Sequence, residues 1–189
     1  MIALASTTAA AASTKLTVKY RVTGSTLLKA PNATASLGPG TLKSTVNLST
    51  GTVTASLTLP PATVSFKELG LIPVSATTEF VQDGATTGKV NLSTGAVTTT
   101  SRITLKITSL SIAGLPVPVG NSCESATPAV VTVTSQSGFS IVNGGTLAGT
   151  YTIPPFANCG LLITPVLNLT VPGPGNTISL KLGKAQRVG

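Results

Sequence analysis

The chain has 189 residues, 33 of them Thr, with 19 Gly, 13 Pro, no Trp, no His and a formal net charge of +8 carried on 12 basic residues. Without histidine the usual general base and the Ser-His and Cys-His nucleophile pairs are excluded. Four acids, Glu68, Glu79, Asp83 and Glu124, leave little from which to build a zinc site or a glycosidase carboxylate pair.

The length allows one domain that buries roughly 70% of its unfolded surface. Residues 1–14, "MIALASTTAAAAST", are Ala/Ser/Thr-rich, with small residues at the spacing of a signal-peptidase site but no basic front. They read as a signal-peptide remnant or a disordered leader, with a single all-β domain over 15–189. The domain opens on strict alternation. Leu16, Val18, Tyr20 and Val22 share one face, and Lys15, Thr17, Lys19, Arg21 and Thr23 share the other, which predicts a half-buried strand. "GPG" at Gly38 reads as a turn.

The phrase "VNLSTGTVT", Val46 to Thr54, returns as "VNLSTGAVT", Val90 to Thr98. Facing residues of a hairpin share a side of the sheet. Pairing Leu48 with Val53 and Val46 with Ala55 therefore requires an even turn, with Gly51 or Gly95 free to take positive φ. At the same offset of 44 residues Gly40 matches Gly84, and Gly70-Leu71 matches Gly114-Leu115; a third, diverged copy aligns "GTLAGTYTIPP" from Gly145 with "GTVTASLTLPP" from Gly51. These matches predict duplicated hairpins.

Between and beyond the copies, "SFKELGL" makes at most one helical turn, and Ile72, Val74, Ala76 and Phe80 alternate as a strand. Ile103, Leu105 and Ile107 also alternate, and the phase then shifts to Leu110 and Ile112, which predicts a bulge or bend. "QDG", "NGG" and "PGPG" mark turns. Leu167, Leu169 and Val171, then Ile178, Leu180 and Leu182, read as strands. "CGLLITPVLNLTVPG" is interrupted by Pro165 and Asn168 and is shorter than the ~20 apolar residues a helical span requires. The fold class is all-β: an antiparallel β-sandwich or closed barrel of about ten strands.

The chemistry is sparse. There is no Ser-x-x-Lys and no GxxxxGK[ST], and the Gly-rich pieces precede no helix. Two Tyr and four Phe are too few for a base-stacking surface, so no nucleic acid is expected, no cofactor is called for, and the protein reads as a non-enzyme. The stripe Lys15, Lys19 and Arg21, joined by Arg102, Lys106 and Lys181, is a candidate face for an anionic partner; its alternative is a solvated sheet face. Asn-x-Ser/Thr sequences at Asn32, Asn47, Asn91 and Asn168 are expected by chance in so Thr-rich a chain. Cys123 and Cys159 read as a disulfide in an exported chain, with roughly 3 to 4 kcal/mol of stabilisation, or as two buried thiols otherwise.

The phrases "GTVTASLTLPPATVSFKELGLIPVSATTEF", "LPVPVGNSC", "GGTLAGTYTIPPFANCG" and "VPGPGNTISL" resemble, in the same order, a group of secreted proteins of actinobacteria with no established activity. The resemblance covers nearly the whole chain after the leader. It implies export and supplies no site residues; the missing basic and apolar front of a signal peptide departs from its pattern.

Two functions follow as expectations. The first is a secreted or cell-envelope module, structural or adhesive, that contacts an envelope component or another surface protein, with a filled aliphatic core; a homo-oligomer stays open. The second is a carrier of a lipid or other hydrophobic ligand in an apolar β-cavity, suggested by abundant aliphatics with few aromatics to fill space.

Overall fold

The computed structural model describes residues 14–68 and 70–188, so the leader reading lies outside the described residues except for Thr14. The elements in chain order are β1 (Lys15–Leu28), β2 (Ala33–Asn47), β3 (Thr52–Thr58), β4 (Ala62–Glu68), β5 (Ile72–Gln82), β6 (Thr86–Val90) and β7 (Val97–Ile112). They continue with β8 (Leu115–Val117), β9 (Glu124–Ser125), β10 (Ala129–Ser135), β11 (Gly145–Ile153), β12 (Phe156–Ala157), α1 (Ile163–Thr170), β13 (Gly173–Leu182) and β14 (Gln186–Arg187). Ten of these strands run five residues or more, as the alternation predicts; β8, β9, β12 and β14 are short pieces that seal edges.

Eight strands close an antiparallel barrel in the order β1, β2, β3, β6, β7, β10, β11, β13, with β13 pairing back onto β1. The ladder from Ala129↔Ile103 to Thr134↔Thr98 joins β10 to the first half of β7 and decides for a barrel over a sandwich. The second half of β7 leaves this ladder and pairs with β5, which pairs with β4. The predicted bulge lies at Thr108, where the β5 partners jump from Thr77↔Ser109 to Thr78↔Ile107.

The repeated phrase forms two hairpin turns of one design. The Asn47 side-chain oxygen accepts from the Ser49 and Thr50 N–H groups at 2.9 and 3.2 Å, and Asn91 does the same for Ser93 and Thr94 at 2.9 and 3.1 Å. The Gly51 and Gly95 N–H groups donate to the Asn47 and Asn91 carbonyls. The even parity holds, but the expected Leu48/Val53 and Val46/Ala55 pairs do not form. Val46 faces Val53, Ser44 faces Ala55 and Val90 faces Val97, because the asparagine turn draws Leu48 and Leu92 out into solvent. The four valines make a buried cluster of their own, with Phe139 and Ile141 packed on it.

The 44-residue offset carries further. β3 and β4 together correspond to the single strand β7. Pro60 and Pro61, which have no N–H to give a ladder, break the first copy; β7 has Thr104 and Leu105 there and runs on. Conversely, β2 passes through Gly38, Pro39 and Gly40 beside a register shift against β1, whereas the second copy breaks at Asp83 and Gly84. "GPG" is therefore inside a strand, not a turn. "SFKE" ends β4, and the Leu71 N–H donates to the Glu68 carbonyl at the turn that follows, so no more than a single turn is made there.

The strand expected over Leu167, Leu169 and Val171 is the helix α1. Pro165 sits in its first turn, where a missing N–H costs nothing, and the Thr164 N–H donates to the Gly160 carbonyl. Asn168 holds the turn to β12: it accepts from the Phe156 N–H at 2.7 Å and donates to the Phe156 carbonyl at 2.9 Å. Tertiary contacts thus override an alternation that fits a strand equally well.

Candidate functional site

At the barrel end spanned by β4, β5 and the second half of β7, the inner wall does not fill its space. A cavity of about 210 Å³ remains there. Small residues leave the room: Ala35 on β2, Ala62 on β4 and Ala76 on β5 all turn inward. Phe66, Leu105, Ile107 and Phe156 make the rest of the wall aliphatic or aromatic. Sequence reasoning identified the aliphatic surplus but not the site; inward-facing alanines on three strands were the readable signal.

Helix α1 covers the cavity. Ile163 and Leu167, one turn apart, line it together with Val166 and Thr170. Val166 and, from β5, Ile72 line the cavity and are also 51% and 42% exposed, so at each of them the wall is one side chain thick. On the outer side Leu161, Leu162 and Leu169 are almost wholly exposed. A smaller void of about 70 Å³ continues along the barrel, sharing Thr26, Phe80, Leu105 and Tyr151 with the first. A third of about 60 Å³ shares Leu57, Ser101, Val133 and Leu180 with the second.

Few polar groups reach this interior. At the floor of the large cavity the Tyr151 hydroxyl meets the Thr26 hydroxyl at 2.7 Å, and Thr26 donates to the Thr177 carbonyl at 2.9 Å. Burial pushes the Tyr151 phenol above its ordinary pKa. At the end of β5, half-buried Gln82 bridges β3 and β6: its amide donates to the Ala55 carbonyl and Thr86 hydroxyl, and its oxygen accepts from the Leu57 N–H. Tyr20 donates to the Ile141 carbonyl at 2.7 Å, and burial pushes its phenol up to about 12. At the mouth Glu68 occupies the inward series of β4 that begins Ala62, Val64, Phe66.

Cys123 and Cys159 form the predicted disulfide, both fully buried. The bond ties the loop before β9 to the segment between β12 and α1, beside the β9–β12 pair Phe156↔Ser125. It thus fixes the chain that delivers the helix. Among the described residues no group of three or more His, Cys, Asp or Glu could hold a metal ion, and no helix is long and apolar enough to cross a membrane.

The predicted basic face divides. Lys15, Lys19 and Arg21 share the outer side of β1, Lys181 on β13 lies beside them opposite Thr23, and Lys43 on β2 stands directly opposite Lys19. Arg102 and Lys106 are not part of it. They lie on β7, four strands away around the barrel by either route, where Arg102 pairs with Asp83 at 3.4 Å and Lys106 stands in register with Glu79 and Glu124. All four acids are on that side, on β4, β5, β9 and the β5–β6 turn. Like charges directly opposite, such as Lys19 and Lys43, destabilise a sheet by up to ~1 kcal/mol.

No known protein family, curated protein or solved structure matches this chain.

Proposed function

We propose that this protein is a non-enzymatic carrier of a hydrophobic ligand, acting outside the cell or in the cell envelope. One observation carries the reading: a closed barrel keeps an apolar void of about 210 Å³ under a short helix instead of filling it. A void of this size forfeits packing contacts on every wall, a cost that an apolar guest removes. The disulfide is compatible with an extracellular setting, as is the resemblance to exported proteins. The test is native mass spectrometry, with organic extraction, of protein purified from its own host. A stoichiometric co-purifying apolar molecule is expected. A clean apo mass, together with no thermal shift on adding apolar probes, would sink the carrier.

A second reading has its own support. The five cations of the β1, β2 and β13 face have no acid among them, an arrangement suited to contact with an anionic envelope polymer. Retention on an anionic matrix that falls steeply with salt, and falls further in Lys19→Ala/Lys43→Ala, is expected. Retention insensitive to salt would remove this second role.

A further inference from the structure

We propose that the cavity selects a neutral apolar alcohol, its hydroxyl turned inward to donate to the Tyr151 phenol oxygen. This inference rests on the carrier reading and sharpens it to a ligand class.

The hydrogen bookkeeping at the cavity floor sets the polarity. The Thr177 carbonyl can only accept, so the single proton of the Thr26 hydroxyl goes to it. The contact of 2.7 Å between the two hydroxyls must then be donated by Tyr151. The phenol oxygen is left with its proton spent and its lone pairs free. Among the described residues no donor is seen to reach it. A guest hydroxyl supplies the missing donor, whereas a ketone would have to turn the phenol proton away from Thr26.

Charge excludes the commonest alternative, a fatty-acid anion. No Lys or Arg lines the cavity, so a carboxylate at the floor would be buried unpaired. Reversed, with its head at the mouth, the same molecule would meet Glu68 on the inward series of β4. The basic face does not help, because its cations project outward from β1, β2 and β13. Size fixes the scale. Given that a void of about 150 Å³ takes benzene, the large cavity holds on the order of eight non-hydrogen atoms.

The experiment is isothermal titration of the intact protein with three size-matched probes, 1-heptanol, 2-heptanone and heptanoate. The wild type should bind 1-heptanol about three- to tenfold more tightly than 2-heptanone, the span of one hydrogen bond. Tyr151→Phe should erase that difference while leaving the ketone affinity in place, and Glu68→Gln should improve heptanoate selectively. Equal affinities for alcohol and ketone in the wild type, a comparison that needs no variant, would overturn the alcohol assignment and leave the carrier standing. A preference that survives Tyr151→Phe would overturn it as well. Failure of all three probes to bind would overturn the assignment together with the carrier reading.

Discussion

Asn168 on α1 grips the backbone of Phe156 with both ends of its amide, accepting from the N–H at 2.7 Å and donating to the carbonyl at 2.9 Å. Two half-buried backbone groups therefore depend on one side chain in the middle of the cavity's lid. Asn168→Ala removes both bonds and leaves both groups without those partners, at a cost of about 1–3 kcal/mol. Asn168→Asp should do almost as much harm, since a carboxylate accepts the first bond but cannot donate the second. Amide exchange should accelerate locally over α1 in both variants before the barrel ladders are affected. Uniform loss of protection across the barrel would show that the helix is not separately held.

The disulfide acts on the same lid. Joining residues 36 apart in sequence, it stabilises by about 4 kcal/mol in the chain-entropy model. Replacing both cysteines with serine should lower the denaturant midpoint accordingly. It should also raise exchange over 157–171 more than over β1 and β2, which hold their ladder without it.

The two copies of the repeated phrase, although identical at the turn, differ in what surrounds them. Both glycines have positive φ, 69° at Gly51 and 77° at Gly95, where an L-residue costs ~1–2 kcal/mol. At Gly95 an added Cβ meets open space, but at Gly51 it would strike the carbonyl oxygen of Val90, the last residue of the neighbouring strand β6. Gly95→Ala should cost about the backbone penalty alone. Gly51→Ala should cost at least twice as much, because the Val90 N–H bond to the Gly51 carbonyl must shift with it. Equal midpoints in urea for the two variants would contradict this difference.

Local pattern made much of the barrel legible. Leu16, Val18, Tyr20 and Val22 do face inward, and the phase slip after Ile107 is a bulge. Closure was not legible, because it depends on β7 meeting β10 across intervening chain, and no periodicity encodes that partner. Nor was α1: Leu167 and Val171 suit either period, Leu169 suits only a strand and is left exposed on the helix, and the decision lies with Asn168 reaching Phe156. The alternation along β1 places Lys15, Lys19 and Arg21 on one face, but nothing local in the sequence tells that Lys181 lies beside them while Arg102 and Lys106 lie across the barrel.

Tyr20 gives a pH dependence of known sign. An unfolded tyrosine loses its proton near pH 10, and Tyr20 holds it to about 12. The folded state therefore binds the proton more tightly. The associated stability is intact below about pH 10 and is lost as pH climbs through about 12. Tyr151, raised by its own burial, adds in the same direction. Tyr20→Phe gives up the hydrogen bond to Ile141 and should be about 1 kcal/mol less stable at neutral pH. That gap should close in strong alkali, because only the wild type carries the Tyr20 penalty there. A constant gap across the whole range would mean that the phenol is not held protonated.

The void makes a prediction opposite to what close packing would give. Ala76 is buried, faces Val64 across the β4–β5 ladder and lines the cavity. Ala76→Leu places three more carbons in free space, each worth ~0.8 kcal/mol when buried. A net gain of about 1 kcal/mol should survive the rotamer cost. The added atoms occupy on the order of a third of the space, so apolar probes should bind at least about tenfold more weakly. Ala33 on β2 is buried as deeply but lines no void described along the barrel. Ala33→Leu should therefore overpack and cost about 1–3 kcal/mol. Opposite signs for the two substitutions, read as midpoints in urea, are the signature of a real cavity. Destabilisation of similar size by both would mean that the space beside Ala76 closes on its own, and the carrier would lose its principal support.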